Sequence, residues 1–301
     1  MKKVLTTAGM LIAAGAVLMF AAIAIGGFNM ERFNTERYAQ TLYQVDEPFH
    51  SIEIRGVDCD VYLAYDQKGP CRVESTESDH ILTEVHVKNG TLTITRKDDH
   101  PWYQRIGFWW TGGESAQVNV YLPESAYDDL LIYTVSGDIH IPDDFAFETM
   151  EAHSTSGDIT TQAGVSDGLD VQTVSGDIAA SSVAGPVSAE TTSGQIVLEG
   201  VSAEALTATT ISGDIRLNGV TADGQAVLTT TSGDIRLADF DADSMEVSTI
   251  SGNVTGTLLT AKNFQTNTTS GSITVPPSDR AAGSCDIKTT SGDVSLTIKD
   301  E

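Results

Sequence analysis

The chain has 301 residues, 40% apolar and 20% charged, and its acidic residues outnumber the basic ones 42 to 17 for a net charge of −25. That balance argues against a nucleic-acid binder, whose phosphate contacts need Lys and Arg, and suits a soluble surface that attracts cations. Three cysteines, Cys59, Cys71 and Cys285, are too few for a disulfide framework and lack zinc-ligand spacing.

At the N-terminus Lys2 and Lys3 precede an uncharged run from Val4 to Phe28. As a helix it would be about 37 Å long, enough to cross a hydrocarbon core of about 30 Å. Residues 1–28 are therefore expected to be a membrane anchor. The alternative is a signal peptide cleaved near Ala22-Ile-Ala24, which would leave a secreted protein. The Lys/Arg count is balanced across the run by Arg32 and Arg37, and the signal-like layout favours an extracytoplasmic C-terminal domain. Residues 29–45 are polar and mixed, and read as a stalk.

Apolar alternation then begins. Ile52-Glu-Ile54, Val61-Tyr-Leu63, Val85-His-Val87, Leu92-Thr-Ile94 and Val118-Asn-Val120 all have the period of half-buried strands. Asn89-Gly90 is a hairpin signal. Residues 46–127 are thus predicted to be an irregular β capping region. Within it, residues 101–110 form an aromatic loop holding Trp102, Tyr103, Phe108, Trp109 and Trp110. Such a cluster either covers the open end of a core or forms a binding surface for carbohydrate, a partner or the membrane interface. Cys59 and Cys71 could pair across neighbouring strands in an extracytoplasmic setting.

From residue 128 to 301 the chain repeats. A Ser-Gly-x-Ile/Val corner recurs every 18 to 21 residues, with its glycine at Gly137, Gly157, Gly176, Gly194, Gly213, Gly233, Gly252, Gly271 and Gly292. A fixed short period means stacked units. With the corner serine as position 0, positions −6, −4, +3 and +5 are mostly apolar, and position −2 is Thr except at Ser154. Side chains alternate along a strand, so the apolar face must change parity at the corner. The Ser-Gly pair supplies the odd step, and a positive φ at glycine would make the bend. The prediction is an all-β parallel solenoid of 19–20 residues per rung, two strands per rung, stacked like on like. Right-handedness is expected from the usual hand of parallel connections. Cys285 falls in the −6 column and reads as a core residue.

Most corners carry an acid after the glycine: Asp138, Asp158, Asp177, Asp214, Asp234 and Asp293, with Gln195, Asn253 and Ser272 elsewhere. Stacked carboxylates could hold calcium. The competing reading has each Asp accepting backbone N–H bonds within its own turn, as Asn, Gln and Ser also can. No catalytic constellation emerges. The histidines lack metal-ligand spacing, and a serine beside an acid in every rung is a structural feature. Arg216 and Arg236, near Asp214 and Asp234, come nearest to a polysaccharide-cleaving site. Their simpler role is to offset the acidic column.

The apolar N-terminal run, Phe49-His-Ser-Ile-Glu-Ile, Val118-Asn-Val-Tyr-Leu-Pro123 and the Thr-Val-Ser-Gly-Asp-Ile repeats together resemble a putative-adhesin, β-strand-repeat family of unknown function found in bacterial envelope proteins. The resemblance spans residues 45–298. It implies a single-pass, membrane-anchored, extracytoplasmic protein without catalytic residues or cofactor, similar to members linked to envelope stress. The function expected is a non-enzymatic adhesin-like module meeting cell-wall polymer or envelope proteins. An accessory protein acting on a membrane sensor is the alternative, and a polysaccharide-active enzyme a remoter one.

Overall fold

The computed structural model describes residues 38–56, 58–67, 69–99 and 116–299. The predicted anchor and the aromatic loop lie outside these residues. Every regular element among the described residues is a β-strand.

Seven strands precede the repeats: β1 (Ala39–Val45), β2 (Ser51–Arg55), β3 (Asp60–Tyr65), β4 (Cys71–Glu77), β5 (Ile81–Lys88), β6 (Thr91–Asp98) and β7 (Gln117–Leu122). The repeats follow as pairs around each corner: β8 (Ala126–Tyr133) and β9 (Ile139–Ile141), β10 (Ala146–His153) and β11 (Ile159–Thr161), β12 (Gly164–Gln172) and β13 (Ile178–Ser181), β14 (Ala184–Glu190) and β15 (Ile196–Glu199), β16 (Ser202–Thr209) and β17 (Ile215–Asn218). Then come β18 (Thr221–Thr229), β19 (Ile235–Ser248), β20 (Val254–Leu258), β21 (Asn263–Ser270), β22 (Ile273–Thr274), β23 (Ser284–Ser291) and β24 (Val294–Ile298). The long β19 serves two rungs: its first part follows one corner and its second part precedes the next.

The strands before the corners form one parallel sheet and those after them form the other. Their register matches the sequence columns. Met150 lies on Leu130 and Leu169, and Ile159 on Ile139 and Ile178. These columns are 0–3% exposed and form the core, except on the last level, where Phe264 is partly buried and Ile273 is 40% exposed. Two features were not foreseen. A further buried column (Val183, Val201, Val220, Phe240) fills the side opposite the corners, so the core has three sides. The bend leading to it has positive φ at Ser182, Gly200, Gly219 and Asp239.

The stack does not begin at residue 128. β2 and β3 form a rung of their own, with Ile52 on Leu130 and Val61 on Ile139. Asp58-Cys59-Asp60 replaces Ser-Gly-Asp as its corner, and Asp58 bridges to Ser136. Beyond it lies the rung of β6 and β7. Antiparallel β4 and β1 extend one sheet past that rung, and β5 extends the other. The stalk reading therefore fails for residues 39–45: Tyr43 and Val45 alternate inward against the core, which makes them part of the end cap.

Rung order departs from chain order at both ends. β2 sits between β6 and β8. β23 sits between β19 and β21, so Cys285 lies between Met245 and Phe264. The chain runs outward to the last level and doubles back to fill the gap. Lys262 spans the skipped level: its buried Nζ donates to the Ala242 carbonyl at 2.6 Å and pairs with Asp241 at 2.5 Å. Cys59 and Cys71 are both free and buried, without a bridge.

Candidate functional site

The corner is where backbone comes closest to backbone. A Cβ on Gly194 or Gly213 would lie 1.8 Å from the carbonyl oxygen of the preceding corner glycine, and at Gly176, Gly233 or Gly252 it would lie 1.9–2.0 Å away; on Gly292 it would lie 1.9 Å from the oxygen of Gly252, its neighbour in space. Glycine is therefore required by stacking. Among the corner glycines only Gly137 (134°) and Gly271 (159°) have positive φ, which corrects the expectation that conformation makes the bend.

Two hydrogen-bond ladders run through the corners. The Thr hydroxyl at −2 donates to the corner carbonyl of the neighbouring rung: Thr173 to Gly157, Thr191 to Gly176, Thr210 to Gly194, Thr230 to Gly213 and Thr249 to Gly233, at 3.0–3.1 Å. At the C-terminal end Thr289 reaches Gly252 and Thr268 reaches Gly292, following spatial order. This explains the near-invariant Thr within the chain. Where Ser154 replaces it, the buried Oγ has no partner.

The second ladder uses the Asp column. Oδ1 of Asp138 accepts the Asp158 N–H at 2.9 Å, Asp158 accepts from Asp177 at 2.8 Å, and Asp177 accepts from Gln195 at 2.7 Å. Asp214 accepts from Asp234 and Asp234 from Asn253. The bonds cross to the next rung instead of staying within the turn. Stacked carboxylates repel one another, and the repulsion is offset because each step places an N–H dipole between the acids. Asp214 has more: its Oδ2 meets Arg236 at 2.5 Å and Arg216 at 3.1 Å. Burial would raise its pKa, but the Asp234 N–H and the guanidiniums outweigh burial and hold the carboxyl below its ordinary value. The arginines thus offset the column at Asp214 and Asp234.

Ser51, His50 and Asp128 imitate a catalytic relay. Ser51 Oγ (3.3 Å) and Asp128 Oδ2 (2.7 Å) both meet Nδ1 of His50, so no proton can pass through the ring between them.

The outward surface beside the corners has a pattern that position-by-position reading missed. In spatial order, position −1 reads Val135, Thr155, Val174, Thr192, Ile211, Thr231, Ile250, Thr290 and Thr269. The aliphatic members are 48–52% exposed. A groove of about 490 Å³ runs alongside. His153, Gln172 and Glu190 form one wall, and Val174, Thr192 and Ile211 the other. Ser154 and Thr173 lie in its floor. At its N-terminal end His153 stacks on Tyr133, with centroids 5.0 Å apart and planes within 5°, and the Arg55 guanidinium lies 5.1 Å over Tyr133.

The profile of a family described as Toastrack DUF4097 matches residues 49–241 and 238–300. The chain belongs to the Toastrack DUF4097 family. No curated protein matches the chain. Among solved structures, a putative adhesin from Parabacteroides distasonis ATCC 8503 is 15% identical, covering 87% of this chain and 97% of its own, with a TM-score of 0.51. A putative lipid binding protein from the same organism is 16% identical, covering 88% and 98%, also at 0.51. At this identity the likeness shows a shared fold. Of the residues predicted for a site in this Toastrack chain, the five acids share one column in two bonded runs, Asp138–Asp158–Asp177 ending on Gln195 and Asp214–Asp234 ending on Asn253, the nine glycines stack in one line, and the five aromatics lie outside the described residues. The −1 alternation was visible in the sequence once the repeats were aligned. Its spatial continuity past Ile250 was not, because β23 intervenes.

Proposed function

We propose that this Toastrack protein is a non-enzymatic binding module of the cell envelope, held to the membrane by residues 4–28 and displaying its solenoid outside the cytoplasm. The observation that carries the reading is the commitment of the corner groups. Asp oxygens and Thr hydroxyls that would be candidates for acid–base work are engaged rung to rung, whereas the ridge beside them stays exposed and regular. Related solenoids described as a putative adhesin and a putative lipid binding protein are in keeping with binding. The core columns are closed by side chains, so a ligand would meet the outer surface.

The test uses the full chain with a C-terminal epitope in its native cell. Protease added to intact protoplasts should remove the epitope, the protein should fractionate with membranes, and the purified chain should co-sediment with isolated envelopes. An epitope protected until lysis, or absence of envelope binding, would overturn the proposal.

A further inference from the structure

The −1 ridge carries an alternation that folding does not require. The residue before each corner is β-branched throughout, as an extended strand favours, but at about half exposure either Thr or Val/Ile would serve. Instead the two classes alternate rung by rung from Val135 to Thr290. At about 4.8 Å per rung the aliphatic side chains recur about every 9.6 Å, and Val135 to Ile250 spans about 29 Å. The array has a two-rung period.

Charge narrows what can lie on it. The Asp column stands three residues away, and the chain carries −25. A second copy set ridge to ridge would bring two acidic columns together, and an anionic polymer would be repelled. The groove supplies Gln172, Thr192 and Thr209 as neutral hydrogen-bonding groups beside one acid, Glu190, and at its end the His153 ring, backed by Tyr133. This is the chemistry of sugar recognition: apolar contact for ring C–H faces and fixed polar groups for hydroxyls and amides.

We propose that the ridge and its groove bind an uncharged β-1,4-linked glycan lying along the solenoid axis, one sugar per rung. In such a chain successive rings are flipped, so C–H-rich and hydroxyl-rich edges alternate with each sugar, and the rise per sugar is close to one rung. Val174 and Ile211 then meet the apolar edges of alternate rings while Thr192 meets the hydroxyls between. This rests on the reading of the protein as an envelope binding module and names its ligand and site.

The test is calorimetric titration of the detergent-solubilised full chain with chito-oligosaccharides, using maltohexaose, whose α-1,4 linkages do not alternate, as control. Affinity should rise from chitobiose to chitohexaose, and maltohexaose should be silent. The double variant V174T/I211T keeps β-branching and exposure but erases the alternation. It should bind chitohexaose at least about tenfold more weakly, with an unchanged circular dichroism spectrum and melting curve. No chitohexaose binding, equal binding of maltohexaose, or an unaffected double variant would overturn the proposal. If chitohexaose fails while envelope co-sedimentation persists, only the ridge assignment falls. If both fail, the envelope-module reading falls as well.

Discussion

Replacing Gly213 with Ala tests what the corner glycines are for. Its Cβ would sit 1.8 Å from the Gly194 oxygen, 2.6 Å from the Gly194 carbonyl carbon and 3.1 Å from Thr210 Oγ1. The contact is with backbone, so it cannot be relieved by a rotamer change and the two rungs must part locally. Overpacking of this kind costs about 1–3 kcal/mol. The Thr210–Gly194 and Thr230–Gly213 bonds on either side would be strained, at about 1 kcal/mol each, so a loss of about 3–5 kcal/mol is expected. Gly219 provides the control. It has φ of 60° and nothing within 4 Å of its would-be Cβ, so Gly219→Ala should cost only about 1–2 kcal/mol of left-handed strain. Urea unfolding followed by far-ultraviolet circular dichroism would compare the two. If Gly213→Ala is no worse than Gly219→Ala, close backbone stacking is not what demands glycine at the corner.

Three further outcomes are expected. Thr210→Val keeps the shape but strands the Gly194 carbonyl, and should lower urea stability by about 1–3 kcal/mol; Ser154→Thr should restore a missing ladder bond and raise it by about 1 kcal/mol. The depressed Asp214 carboxyl contributes stability above its unfolded pKa and loses it as pH falls through the lower folded value. Asp214→Asn should therefore flatten the acid limb of the stability curve below about pH 4, most clearly at low salt; superimposable acid limbs for variant and wild type would refute this. Burial pushes Cys59 up to about 11 and Cys71 and Cys285 to about 12. None of the three should react with a thiol-specific chromogenic disulfide at pH 8 until urea unfolds the chain, and rapid labelling of the native protein would contradict their placement in the core.

The apolar columns were legible because strand alternation ties each residue's face to its distance from the corner, and nine corners supply nine independent readings of one rule. Met150, Leu169 and Ile215 could be placed in the core from that rule alone. The acid column was also legible as a column, but not its bonding partner: a carboxylate that could reach an N–H in its own turn or in the next looks the same in a list of residues. The rung at Asp58-Cys59-Asp60 was hidden because neither serine nor glycine marks it. Cys59 stands where the repeats carry glycine, and Gly56 replaces the usual Thr where a Cβ would come within 2.6 Å of the cysteine sulfur.

The amino-acid sequence by itself determined the repeat, the parity change at each corner, the columns that stack and the acidity of the outer face, since these follow from local geometry and side-chain type. Only the tertiary structure decided which rung lies on which. Every rung offers similar apolar columns and the same backbone ladder, so pairing alone cannot distinguish β21 from β23 as the neighbour of β19. The choice is made by the ends. An end level needs covering, and the chain meets that need by running outward first and returning, with β4, β1 and β5 closing one end and the uncharged Asn263–Ser270 strand forming the last level of the other.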